Sequence, residues 1–277
     1  MKIALVQMCS GIDPAENASR LRTHIAEAAA GGAEMVFTPE MSGLLDRDRS
    51  RAAAVIQSEQ DDDVLSTVRA EAIKCRVWVQ LGSLAIKTAD NSDGKWFNRS
   101  YLINPEGEIT ARYDKIHLFD VDLTPDESLR ESSAYAGGQS AVVAPIPNAV
   151  LGLSICYDLR FSSLYDALTN AGADILSIPA AFTVPTGEAH WEILLRARAI
   201  EAGAFVVAAA QSGRHEDGRA TYGHSMVIDP WGEILLDMGE QTGLGFCDLD
   251  LRKIEQVRSR IPAVANRTWF EPPVKTS

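Results

Sequence analysis

Short apolar runs alternate with polar stretches along the whole chain. The first run, residues 2–8, predicts a strand. A helix is predicted next: Asp13 is placed as its N-cap, Pro14 at its first position and Glu16 three residues after the cap. Ala18, Leu21, Ile25, Ala28 and Ala29 then recur at helical spacing until Gly31-Gly32 ends the run. Residues 35–38 read as a buried strand stopped by Pro39. Helices are predicted at 48–57 and 62–75, and strands at 77–87, 97–104 and 108–113.

The second half restarts this order. It predicts a strand at 149–156, a helix at 161–171, a strand at 174–178 stopped by Pro179, and a helix over about 188–202. Strands near 204–211, 223–229, 233–237 and 243–249 precede a last helix near 250–260. Two segments repeat in order. Residues 32–39 (GAEMVFTP) match 172–179 (GADILSIP), and 104–108 (NPEGE) match 229–233 (DPWGE). Two related halves, each helix–strand–helix plus hairpin, predict an α/β chain with two sheets face to face and helices outside.

Length and composition sharpen this. At about 150 residues per domain, 277 residues suggest one large or two small domains. The chain has no linker-like stretch; the soft places are 90–95, 124–133 and the tail after 260. One domain over 1–277 is expected, with a core of about 2–260 and a tail of 261–277. Lys plus Arg is 26 against 38 Asp plus Glu, a net charge of −12. That balance argues against nucleic acid or an anionic membrane as partner. The apolar runs are too short to span a bilayer, and the N-terminal one is too short for a signal peptide. Cys9, Cys75, Cys156 and Cys247 are widely spaced without a CxxC, which fits reduced thiols in a cytoplasmic protein. The five histidines show no HxH or HExxH spacing, so no metal is expected. His190 and Trp191 read as packing residues.

Three residues stand where chemistry fits. Cys156 follows an apolar strand, at a strand-to-helix junction that leaves backbone N–H groups unpaired. That suits a nucleophile, with the Tyr157 amide available to an oxyanion. Plain packing is the usual fate of a free cysteine. Glu40 ends another strand, as a solvated loop residue or a general base. Lys115 precedes an aromatic-bearing run and can point into a cleft, where an ammonium stabilises developing negative charge.

Together these residues resemble the nitrilase superfamily of carbon–nitrogen hydrolases. The resemblance rests on Pro39-Glu40, Tyr113-Asp114-Lys115-Ile116-His117-Leu118-Phe119 and Ile155-Cys156-Tyr157-Asp158-Leu159-Arg160-Phe161. It continues through residues 187–191, 196–201 and 222–232 and covers about 2–260. It implies a four-layer αββα sandwich with internal pseudo-two-fold symmetry, and a homodimer or higher homo-oligomer formed through a helical layer. It implies hydrolysis of a small linear amide by water through a thioester on Cys156, with Glu40 as general base, Lys115 as oxyanion stabiliser and no cofactor. Glu131 matches a second carboxylate, although Asp126 and Glu127 stand close by. Arg160 is implied to pair with a substrate carboxylate, the alternative being a salt bridge to Asp158 or Asp166. Phe182 and Thr186 are implied in a loop walling the acyl pocket.

The flanks of Cys156 look like the branches acting on 2-oxo-acid amides, and residues 208–226 look most like the deaminated glutathione amidase branch. The alternatives are an ω-amidase acting on 2-oxoglutaramate and an N-carbamoyl amino acid hydrolase. A non-enzymatic alternative, a catalytically silent scaffold, would not need to keep Glu40, Lys115 and Cys156 together.

Overall fold

A computed structural model describes residues 1–88, 93–124 and 127–274. The first half runs β1 (Lys2–Gln7), α1 (Pro14–Ala30), β2 (Met35–Phe37), α2 (Arg49–Val55), α3 (Asp63–Cys75), β3 (Trp78–Ile86), β4 (Phe97–Ile103) and β5 (Ile109–Asp114). A hairpin of β6 (Asp120–Thr124) and β7 (Glu127–Arg130) and then β8 (Val142–Ile146) follow. The second half runs β9 (Ala149–Leu153), α4 (Ser162–Asn170), β10 (Ile175–Ser177), α5 (Val184–Ala202), β11 (Phe205–Ala208), β12 (Ser212–Arg214), β13 (Ala220–Tyr222), β14 (Met226–Ile228) and β15 (Ile234–Asp237). The last elements are β16 (Gly243–Asp248) and α6 (Arg252–Arg260).

Two six-stranded sheets result, in the orders β16-β1-β2-β3-β4-β5 and β15-β14-β11-β10-β9-β8. In each, three parallel strands continue into an antiparallel pair. The remaining edge strand comes from the other half: β8 pairs antiparallel with β9, and β16 with β1. Each half therefore completes the sheet of the other.

The repeat extends to single hydrogen bonds. The Asn104 and Asp229 side chains each accept from the backbone two and four residues on. Gly107 and Gly232 take positive φ in the same turns, at 74° and 90°, where a side chain would be strained. After α1 and α4, Ala33 and Ala173 donate back to Ala28 and Leu168 at 3.0 Å.

Strand alternation sorts the core into layers. Ile3, Leu5, Met35 and Phe37 belong to the cluster shared with the second sheet, which holds Leu151, Leu153 and Ile175. Ala4, Val6 and Val36 face the other way, onto Leu21 and Ile25 of α1 and Leu65 and Val68 of α3. The helix–sheet–sheet–helix order matches the expected sandwich. Asp13 caps α1 through Ala15 N–H at 2.8 Å, with Pro14 in the first turn. Among the described residues, no helix is long and apolar enough to cross a membrane.

Several elements differ from the sequence reading. The strand expected to reach Cys156 stops at Leu153, and Cys156–Arg160 forms a 3-10 turn. Helix α5 begins at Val184 rather than near 188, because Pro185 sits in its first turn, where a missing N–H costs nothing. Thr186 thus belongs to a helix and not to a loop. Strands β6, β7, β8, β12 and β13 were not anticipated. Of the soft stretches, 90–92, 125–126 and 275–277 lie outside the described residues, Asp126 among them.

Candidate active site

Glu40 is set by a tight meeting of β2 and β3. The chain after β2 crosses an irregular stretch of β3 between Leu81 and Leu84. There the Gly82 N–H donates to Thr38 Oγ1 at 2.9 Å, and the Met41 N–H to Ser83 Oγ at 2.9 Å. A Cβ on Gly82 would lie 2.1 Å from the Thr38 carbonyl oxygen, so only glycine lets the turn pass. The resulting Glu40 residue is 4 % exposed. Its Oε1 accepts from Lys115 Nζ at 2.8 Å and Asn98 Nδ2 at 2.9 Å, and its Oε2 from the Ala181 N–H at 2.9 Å.

Lys115 leaves the end of β5 with its N–H bonded to the Asn98 carbonyl. Its ammonium also meets both oxygens of Glu131, at 3.1 and 2.9 Å. Glu131 opens the 3-10 turn Glu131–Ser133 at the neck of the β6–β7 hairpin, where the Phe119 N–H donates to Oε2 at 2.6 Å. Asn98 Nδ2 reaches Glu131 as well, at 3.2 Å. One ammonium thus lies between two carboxylates, with an amide bridging them. Burial alone would lower the Lys115 pKa, but Glu131 and Glu40 outweigh it and hold the ammonium well above its ordinary range.

Cys156 opens its turn at φ 51°, a left-handed conformation that strains any residue with a side chain. Its N–H donates to the Pro179 carbonyl and that of Asp158 to Ile155, while the Tyr157 N–H meets no acceptor among the described residues. Burial first and the Glu40 charge second push the thiol pKa well up, with Lys115 opposing. Burial and the neighbouring carboxylate thus both favour the thiol over the thiolate.

Asp158 organises this turn. Fully buried, it accepts from Ile155 N–H at 2.9 Å, Tyr113 Oη at 2.6 Å and His117 N–H at 3.0 Å, and lies 2.7 Å from His117 Nδ1. It ties the Lys115 segment to the Cys156 turn. The Asp158→Asn variant exchanges one carboxylate oxygen for an NH2 that opposes two of these donors. We expect a loss of about 3 kcal/mol in urea unfolding together with lower kcat; wild-type stability would remove Asp158 from this role.

A cavity of about 300 Å³ opens over the cluster. Its walls include Phe119, Tyr135, Tyr157, Arg160, Phe182 and Thr186. Arg160 forms no salt bridge to Asp158 or Asp166; its guanidinium lies 5.8 Å from the Tyr157 ring centre and 5.6 Å from that of Phe182. Both terminal nitrogens donate to Nδ1 of His190, at 3.4 and 3.3 Å. His190 is exposed and holds Arg160 rather than packing, whereas Trp191 is buried as expected. Thr186 Oγ1 lies 2.8 Å from Thr183 Oγ1 at the cavity wall. Among the described residues, no group of three or more His, Cys, Asp or Glu is arranged to hold a metal ion.

The sequence-predicted Glu40, Lys115, Glu131, Cys156, Tyr157, Arg160, Phe182 and Thr186 thus all meet at one cavity. Asn98, Asp158 and His190 were missed as parts of it. A signal existed for Asn98: with Ser100 it puts polar residues on one face of a strand, and both are fully buried.

This fold and this cluster define a carbon–nitrogen hydrolase, and the chain belongs to the carbon-nitrogen hydrolase family, whose model matches residues 2–259. It is an amidohydrolase of the nitrilase superfamily. It is 39 % identical over 268 residues to deaminated glutathione amidase of Yersinia enterocolitica, covering 96 % of this chain and 93 % of that one. It is equally similar to the Mus musculus deaminated glutathione amidase, covering 82 % of its length. The Caenorhabditis elegans NitFhit structure superposes with a TM-score of 0.88 at 38 % identity; the match covers 96 % of this chain but 64 % of NitFhit. An amidase from Nesterenkonia sp. AN1, captured with acrylamide added at its active site cysteine, gives 0.78 at 27 % identity, covering 95 % of this chain and 98 % of that one.

Proposed function

We propose that this amidohydrolase cleaves the amide of a 2-oxo acid, with deaminated glutathione the preferred substrate, through a thioester on Cys156. The observation that carries the mechanism is the Glu40–Lys115–Glu131 cluster, which lines one cavity with the buried Cys156 thiol. The resemblance to deaminated glutathione amidases over 96 % of the chain supports the substrate.

Glu40 takes the Cys156 proton as sulfur attacks the amide carbon. This neutralises one of the two carboxylates on Lys115, so its charge turns toward the forming oxyanion beside the Tyr157 N–H. Glu131 keeps the lysine an ammonium while Glu40 carries the proton. Glu40 then protonates the leaving amine and, once it has departed, activates water against the thioester. Arg160 holds the 2-oxo-acid carboxylate, with Phe182 and Thr186 walling the acyl chain. We further propose a single domain, whose halves exchange edge strands. It would form a homodimer through the helical layer, where Ile193 and Ile200 of α5 and nearby Trp231 are exposed. The free cysteines support a cytoplasmic location.

Competition among deaminated glutathione, 2-oxoglutaramate and an N-carbamoyl amino acid tests the substrate. We expect kcat/KM at least about tenfold higher for the first, a difference of about 1.4 kcal/mol in transition-state binding. Faster cleavage of either rival would overturn the assignment.

A further inference from the structure

Five arginines line the cavity: Arg47, Arg49, Arg130, Arg160 and Arg219. Three of them meet aspartates, two sharing one carboxylate. Arg219 Nε lies 2.6 Å from Asp217, Arg47 reaches the same carboxylate at 4.0 Å, and Arg130 meets Asp122 at 2.7 Å. Arg49 and Arg160 form no salt bridge among the described residues. Arg160 donates to the His190 ring. Arg49 donates through Nη2 to the Arg130 carbonyl at 3.2 Å and to the Ser133 hydroxyl, both neutral groups. A guanidinium has five N–H donors, so Arg49 keeps donors for an anion.

Both arginines are fixed to the reaction centre. Arg160 ends the turn that Cys156 begins, and Arg49 clasps the turn that Glu131 begins. They differ in depth: Arg160 is half-buried on one wall, whereas Arg49 is exposed on another. In a chain of net charge −12, two guanidinium groups that meet no carboxylate among the described residues, both on one cavity, suit a substrate that is anionic at both ends.

We propose that Arg49 is a specificity-determining residue that takes a carboxylate on the leaving amine while Arg160 holds that of the acyl part. This deepens the function proposed above and rests on it. The preferred leaving group is then a short peptide with a free C-terminus rather than ammonia. Exposure screens Arg49, so its effect is about tenfold and salt-dependent.

The test compares kcat/KM for deaminated glutathione, its C-terminal carboxamide and 2-oxoglutaramate in wild-type protein, Arg49→Gln and Arg49→Lys. We expect the wild-type protein to prefer the acid over its carboxamide about tenfold. That preference should fall close to one in Arg49→Gln, recover in part in Arg49→Lys, and shrink in wild-type protein as salt rises. An unchanged preference in Arg49→Gln, or an equal loss on all three amides, makes Arg49 merely structural and overturns the inference. Wild-type protein that cleaves 2-oxo-acid amides without discriminating the charge overturns the inference alone. Wild-type protein that cleaves none of them overturns the proposed function with it.

Discussion

Cys156→Ala is expected to lower amide hydrolysis by about 10⁴-fold or more while the fold survives. No other described group in the cavity supplies a comparable nucleophile: Cys9, Cys75 and Cys247 lie outside its walls. The substitution removes one buried sulfur and keeps a Cβ at φ 51°, so backbone strain is unchanged and stability should shift by about 1 kcal/mol or less. Peptide mass mapping after a brief incubation with substrate adds a direct readout. Wild-type protein should carry the acyl mass on the peptide containing residue 156, and the variant should not. Turnover retained by Cys156→Ala would sink the thioester mechanism, whatever its stability.

Lys115→Met should be the most damaging change to stability and should lower activity as well. The lysine is 2 % exposed and is the counter-ion shared by two carboxylates. Without it, Glu40 and Glu131 face each other with only Asn98 between them. Removing one partner from buried ions typically costs about 3–5 kcal/mol, or roughly 10 °C in Tm for a chain of this size. Losing the oxyanion donor should lower kcat by at least about 10²–10³. A second substitution separates charge from packing: in Lys115→Met with Glu131→Gln the repulsion is gone, so the stability loss should be smaller than in Lys115→Met alone. An equal loss in the two variants would mean that packing of the lysine stem, not its charge, matters.

Much of the fold was legible because local signals were strong. Asp13-Pro14 marked the start of α1, and the repeated GAEMVFTP and GADILSIP segments marked equivalent strand ends in the two halves. Strand β8 was hidden by Pro145, which edge strands tolerate but which reads against a strand in sequence. The three-residue strands β12 and β13 are too short to show a period. The site was legible only in part. Nothing in a separation of 75 residues makes Glu40 meet Lys115; the resemblance supplied that pairing. Asp158 looked like a possible partner for Arg160, whereas burial commits it to Tyr113, His117 and Ile155. Arg49 showed no signal, because its lack of a carboxylate partner is a property of the assembled cavity.

The exchanged edge strands carry a consequence for assembly. Glu40, Lys115 and Glu131 come from before β9, whereas Cys156 and Arg160 come after its start. A chain cut between β8 and β9 would give two fragments, each missing the strand that closes its own sheet. Neither would hold both acid and thiol. Turnover from mixed fragments would then report reciprocal strand insertion directly, making the chemistry a readout of whether the two halves have joined.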